Sequence, residues 1–450
     1  MYSCTSVHVY QFAIYSYIYF TMQIKKIKKK LLLQYLVDTH LALYIPNKVQ
    51  IASLLLTQPT MLTTLHGINT TIQKSASVLQ IVRSTSTFLL AAKTIMSASR
   101  GAATDITSKQ TTPSIWNIVP MGPPDPILGI GVAFKKDPDT SKINVGIGAY
   151  RDDNGKPWVL PTVKEAQRRI VEKNLDMEYA PIEGLDSFNK AAMKLLYGEH
   201  NPLLEQKRIV CLQSLSGTGS LSVAAHFLAQ YVKNKNVYVS KPTWSNHYGI
   251  FQTAGFTVSE YRYWDPNTNG LNYDGMIQDI QSFQENSIII LHACAHNPTG
   301  VDPTKEQWQG ILQAIQKGNH IAIIDCAYQG FASGDPDHDA YAVRLFAEHH
   351  HPVFVCHSFA KNFGLYGQRV GSISTICKDH DEYARLDSQL KIVARRLYSS
   401  PPLHGARIVA EILNDPTLYE QWLQEVSTMA NRIRSVRQAL HDELKNLGSE

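Results

Sequence analysis

Beyond Trp116 the chain alternates short apolar runs with longer stretches of helical pattern, and this alternation constrains the fold more than any other feature. The runs are Arg208–Leu212, Asn236–Ser240, Ser287–His292, His320–Ile324, Val353–Cys356 and Val370–Ile376. Strand-like segments separated by helices predict an α/β protein built on a largely parallel sheet. Near the end, Met429, Ile433, Val436, Leu440, Leu444 and Leu447 recur at spacings of three and four. That spacing predicts an amphipathic helix, with Gly448 as its C-terminal cap.

The runs in the middle of the chain end in polar chemistry. "IIILHACAHNPTG" delivers Asn297, "HIAIIDCAYQGF" delivers Asp325 and Tyr328, "VFVCHSFAK" delivers Ser358 and Lys361, and "KNVYVSKPTWSNH" delivers Trp244 and His247. Ligands of open α/β sheets bind beyond the carboxyl ends of the strands, so these groups are expected to converge. Taken singly they are ambiguous. Lys361 alone reads as a solvated loop lysine, and Asp325 alone reads first as a helix N-cap, because an unpaired buried carboxylate is costly. "SLSGTGSLSVAAHFLAQYV" adds Ser216, Gly217 and Thr218 at the start of a helix, where free N–H groups suit a phosphate. Arg369 follows Lys361 by eight positions. A lysine amine, an acid, a phenol, an amide, an indole and an anion site match the parts of pyridoxal phosphate: aldehyde, basic ring nitrogen, ring oxygen, aromatic ring and phosphate.

At 450 residues, 44% hydrophobic and 18% charged, the chain has the composition of an ordinary globular protein with one or two domains. Its net charge of +5 conceals an asymmetry. Residues 1–104 hold ten Lys/Arg against one acid, Asp38, while the remainder holds 33 basic and 37 acidic residues. The mildly acidic body has no basic face of the kind that binds nucleic acid. Val7–Met22 is apolar but, at 16 residues, short for a membrane span of about 20. Met61–Arg100 is basic, hydroxyl-rich and free of acids, the composition of an organelle transit peptide. Residues 1–113 are therefore read as an N-terminal extension. The six cysteines include no C-x-x-C pair and read as buried reduced thiols. His349-His350-His351 lacks other spaced ligands and reads as a solvated loop rather than a metal site.

The stretches "MGPPDPILG", "GAYRDDNGKPWVLP", "HACAHNPTGVDP", "AYQGFASGD" and "AKNFGLYGQRVG" carry a resemblance. From Ser114 to Glu450 the chain resembles the aspartate-type aminotransferases of the fold-type-I pyridoxal-phosphate family, and the first stretch looks more like the mitochondrial branch. The resemblance implies a large domain with a mostly parallel seven-stranded sheet flanked by helices, plus a small α/β domain. Residues 114–156 would form the arm and part of the small domain, 157–428 the large domain, and 429–450 the start of the C-terminal small domain. It implies ping-pong transfer of an amino group between aspartate and 2-oxoglutarate in a homodimer of the mitochondrial matrix, with the cytoplasm as the alternative location and no stable membrane insertion.

By the same resemblance Lys361 is the Schiff-base lysine and proton shuttle. Asp325, supported by His247, pairs with the ring nitrogen; Tyr328 and Asn297 bond the ring oxygen; Trp244 stacks on the ring. Ser216, Gly217, Thr218, Ser358 and Arg369 hold the phosphate, joined by Tyr179 from the neighbouring subunit. Arg395, also from the neighbour, clamps the substrate's distal carboxylate, and Gly148 lies where the backbone meets the substrate.

Two departures accompany the resemblance. Ser400 stands where the family usually has Asn, a change expected to be tolerated. The family also continues past "LGSE" with the rest of the small domain, including an arginine for the substrate α-carboxylate that no residue here matches. The expectations left open are an aromatic or other amino-acid aminotransferase, a catalytically impaired pyridoxal-phosphate-binding chain, and an anchor through Val7–Met22.

Overall fold

The computed structural model describes residues 114–122, 128–140, 142–143 and 148–448. The transit-peptide and anchor expectations, and Cys4, lie outside these. The described residues fall into two units, one ending at Met121 and the other beginning at Gly122. In the first, a 3-10 turn spans Ile115–Ile118, with the Ser114 hydroxyl accepting from Trp116 N at 3.2 Å.

The second unit opens with helices α1 (Leu128–Lys136), α2 (Pro161–Glu172) and α3 (Asp186–Tyr197). Strand β1 (Ile209–Ser214), α4 (Ser216–Tyr231), β2 (Asn236–Lys241), α5 (Asn246–Thr253) and β3 (Thr257–Arg262) follow. Then come α6 (Tyr273–Ser282), β4 (Ile288–His292), α7 (Lys305–Lys317) and β5 (Ile321–Cys326). The remainder is α8 (Tyr341–Glu348), β6 (Val353–Ser358), β7 (Gly371–Ile376), α9 (His380–Tyr398), α10 (Leu403–Asn414) and α11 (Pro416–Asn446).

The seven strands form one sheet in the order β1-β7-β6-β5-β4-β2-β3. β2 to β6 are parallel to one another, whereas β7 runs antiparallel to both β1 and β6. No helix intervenes between β6 and β7, and an antiparallel return needs no helical crossover. Six strands correspond to the six apolar runs. β3 has no run to betray it: in "TVSEYR" only Tyr261 is buried, as suits a sheet edge with one face to solvent.

Both faces of the central strands are covered, which is why their sequences are continuously apolar. Ile289, Leu291, Ile324 and Val355 belong to the core on one face, and Ile288, Ile290, Ile323 and Cys356 to the core on the other. A third cluster joins α2, α10 and α11 to the segment after β6, where the fully buried Trp422 stacks on Phe363 at 4.6 Å and donates to Asn362 O at 3.0 Å.

The C-terminal helix is longer than the periodicity predicts. It begins at Pro416, with the Asp415 carboxylate accepting from Thr417 N and Leu418 N. Its first half is buried as far as Ala430, whereas Val436, Leu440, Leu444 and Leu447 are exposed. Gly448 takes φ +77°, as expected of a cap.

One minor reading changes. His351 is not a solvated loop residue: it is half-buried, its Nε2 lies 3.2 Å from His320 O, and its ring meets Phe346. Among the described residues no group of His, Cys, Asp and Glu is arranged to hold a metal. The five described cysteines are free, and four are buried. No described helix is long and apolar enough to cross a membrane.

Candidate active site

The carboxyl ends of β4, β5 and β6 lie side by side, and the amino end of α4 meets them. The close approach depends on Gly371, the first residue of β7. A β-carbon there would sit 2.4 Å from His357 O and 2.7 Å from the Ser216 backbone.

Asp325 is a strand residue, in register with His292 of β4 and Cys356 of β6, and only 8% exposed. The helix-cap reading is therefore corrected. "IAIID" fits a strand end and a cap equally well, and the partner that makes burial tolerable comes from elsewhere: His247 Nε2 on α5, 3.2 Å from Asp325 Oδ2. Behind it, His247 Nδ1 pairs with Thr243 Oγ1 at 2.8 Å, and that hydroxyl lies 3.2 Å from His292 Nε2. Burial, with His296 and His247 nearby, holds the His292 imidazole well below its usual range. Burial, helped by His247, likewise draws His296 down to about 4. Trp244 stands edge-on to His247 at 5.4 Å.

Lys361 follows β6 by three residues and is half-buried, not solvated. Its Nζ lies 4.8 Å from the centre of the Tyr328 ring. Burial pulls its ammonium below the usual lysine range; the Asp325 charge opposes this and the Arg369 charge reinforces it. Burial and the Asp325 charge push the Tyr328 phenol up to about 12, against a hydrogen bond from the Asn297 side chain. A buried amine that gives up its proton easily, beside a phenol and an amide, is suited to attack a carbonyl and to carry protons.

Ser216 opens α4 in the left-handed region, at φ +63°, with Oγ 2.8 Å from Ser358 Oγ. A β-carbon on Gly217 would stand 3.4 Å from Ser358 Cβ and 3.9 Å from Asp325 Oδ1. The helix end therefore presents bare backbone beside both, with Thr218 next in line, and unpaired N–H groups of a first turn favour an anion. Arg369, also left-handed at φ +51°, is exposed and donates to Tyr366 O at 3.1 Å.

Three expected site residues stand apart. Tyr179 is 87% exposed between α2 and α3. Arg395 is exposed on α9 and donates to Ser399 Oγ. Gly148 is exposed, with open space where a β-carbon would be. Among the described residues, no hydrogen bond, ion pair or ring contact ties any of them to the Lys361 cluster. Sequence reasoning missed Thr243, His292, His296 and Asp302, although two histidines closing an apolar run in "IIILHACAH" were a usable signal.

The donor set fits pyridoxal phosphate: an amine for the aldehyde, a buried carboxylate for the ring nitrogen, and a hydroxyl-lined helix end with an arginine for the phosphate. Comparison with known proteins agrees. Residues 140–450 match the model of the family described as aminotransferase class I and II. The chain is 54% identical over 331 residues to the mitochondrial aspartate aminotransferase of Schizosaccharomyces pombe, covering 74% of this chain and 76% of that protein. It is 51% identical over 339 residues to the enzyme of the same name from Dictyostelium discoideum, covering 75% and 80%. Among solved structures, the cytoplasmic aspartate aminotransferase of Saccharomyces cerevisiae superimposes with a TM-score of 0.73 at 46% identity, covering 75% of this chain and 84% of that one. An aromatic-amino-acid aminotransferase of Burkholderia pseudomallei, covalently bound to pyridoxal phosphate, gives 0.73 at 43%, covering 74% and 84%. A lysine, an acid and a helix-end anion site gathered at the ends of one parallel sheet, with a family match over most of the described residues, lead to one conclusion: the chain belongs to the class I and II aminotransferases, pyridoxal-phosphate-dependent transaminases of the α/β class.

Proposed function

We propose that this protein transfers the amino group of L-aspartate to 2-oxoglutarate, giving oxaloacetate and L-glutamate. The observation that carries the reading is the half-buried Lys361 amine, drawn below the usual lysine range beside Tyr328. The 54% and 51% identity to the mitochondrial aspartate aminotransferases of Schizosaccharomyces pombe and Dictyostelium discoideum supports aspartate as the amino donor.

When bound, pyridoxal phosphate supplies an electrophilic aldehyde and an electron-withdrawing ring. Lys361 would hold the cofactor through its amine, and that amine, when free, would take the proton from the substrate Cα. Asp325, braced by His247, keeps a proton on the ring nitrogen, because a nearby carboxylate favours the charged form. Tyr328 and Asn297 hydrogen-bond the ring oxygen, and Trp244 covers the ring. Ser216, Gly217, Thr218, Ser358 and Arg369 hold the phosphate. Tyr179 of the partner subunit completes the phosphate site in a homodimer, and Arg395 of the partner subunit forks onto the distal carboxylate of dicarboxylic amino and oxo acids. Gly148 leaves room for the substrate against the backbone.

Oxaloacetate production from aspartate and 2-oxoglutarate by the cofactor-loaded protein is the expected outcome. Faster transfer from phenylalanine or tyrosine than from aspartate would replace this reading with the aromatic one. The basic, acid-free stretch Met61–Arg100 and the mitochondrial relatives support import into the mitochondrial matrix. N-terminal sequencing of protein recovered from fractionated cells should find a mature chain in the matrix that lacks Met1. An uncleaved chain in the cytoplasm would overturn that location.

A further inference from the structure

The loop after β4 carries Asn297, and its backbone is held in an unusual way. Ala295 has φ +45°. Four of the non-glycine residues that share this region are asparagines (Asn174, Asn269, Asn286 and Asn319), whose side chains can stabilise it locally. Alanine has no such means, so the conformation must be imposed from outside.

The agent is Asp302. Its Oδ2 accepts from Ala295 N at 2.7 Å and its Oδ1 from His296 N at 2.9 Å. Each carboxylate oxygen thus takes one of two successive amides, a charge-assisted, two-pronged contact. Asp302 is not serving as the cap of the helix that follows, because Thr304 already caps α7 in a complete capping box with Gln307. The far side of Asn297 is pinned as well. The buried His296 imidazole bridges Ser240 Oγ on β2 and Thr299 Oγ1, both at 2.8 Å, and lies flat on Tyr263 at 3.9 Å.

We infer that Asp302 is a positioning residue that holds Ala295 left-handed and thereby aims the Asn297 amide at the cofactor's ring oxygen. The inference rests on the reading of Asn297 given above. A hydrogen bond to that oxygen favours its ionised form, so misplacing Asn297 raises the pH midpoint of the bound cofactor's visible absorption band.

The test uses cofactor-loaded protein and reads two quantities besides turnover: the absorption midpoint, and pyridoxal phosphate affinity by equilibrium dialysis. Asn297→Ala should raise the midpoint. Asp302→Asn, which turns a donor toward one of the amides, and Asp302→Ala should raise it in the same direction. Each should weaken affinity roughly tenfold, the scale of one lost charge-assisted hydrogen bond. The Asp302→Ala/Asn297→Ala pair should shift no further than Asn297→Ala alone, since both remove one interaction. Adding Ala295→Gly to Asp302→Ala should bring the midpoint back toward the native value, because glycine takes this conformation without strain. A merely structural Asp302 would give no such rescue. If Asn297→Ala moves the midpoint while neither Asp302 variant does, or the pair is fully additive, the inference alone is overturned. If Asn297→Ala moves nothing, the reading of Asn297 falls and the inference with it.

Discussion

Lys361 owes its chemistry to its neighbours more than to its own type. Burial lowers its pKa, with the Arg369 charge acting in the same sense and the Asp325 charge against it. In cofactor-free protein its amine should therefore be deprotonated at lower pH than a surface lysine. Peptide mapping after treatment with an amine-reactive reagent should place the midpoint for Lys361 below the ordinary lysine value of about 10.4. A midpoint at or above that value would contradict the assigned burial. At this scale the sequence marked His247, Asp325, Tyr328 and Lys361, which the structure brings close together, but not their settings. Asp325 read as a cap because strand end and helix start share the same local text, and only His247, far away in sequence, distinguishes them. Asp302 went unnoticed because its partners are backbone amides, which no side-chain pattern marks.

Elements were legible in proportion to how fully they are buried. The six apolar runs became six strands, whereas β3, with one buried residue, left no trace in the pattern. The Met429–Leu447 spacing does not mark the start of α11, whose fully buried Trp422 lies earlier. Trp422 is fully buried, stacks on Phe363 and anchors Asn362, the residue next to Lys361. Trp422→Ala should cost about 3–5 kcal/mol, read from urea unfolding, through the cavity and the lost hydrogen bond. It should also weaken cofactor binding, because Asn362 loses its tether. Unchanged stability would mean that α11 does not support the site. Glu425, which accepts from Thr162 N at 3.1 Å and Thr162 Oγ1 at 2.6 Å, fastens α11 to α2 one turn further on.

For the molecule as a whole, the α/β class and the parallel sheet followed from the alternation alone, but the antiparallel β7 did not, since a strand's direction leaves no mark on its composition. In the proposed homodimer, the partner subunit would supply Tyr179 and Arg395 to this site. The proposed arrangement can be tested by mixing. Lys361→Ala and Arg395→Ala proteins, each impaired alone, should on subunit exchange form hybrids with one intact site, recovering about a quarter of the native rate. No recovery, despite hybrids shown by mass spectrometry, would place Arg395 in its own subunit's site or outside it.

The sheet edge that gathers Ser216, Asn297, Asp325, Ser358 and Lys361 has a consequence for how the protein is made. These residues come from three strand ends and a helix start, so the site is not complete until β7 joins β1 to β6. Full cofactor affinity is thus expected to arrive late in folding, once these elements are joined. By mass action, a ligand that recognises only the finished state also deepens that state's free-energy well. Pyridoxal phosphate should therefore stabilise chains that complete the sheet and give no such protection to chains that stall before β7.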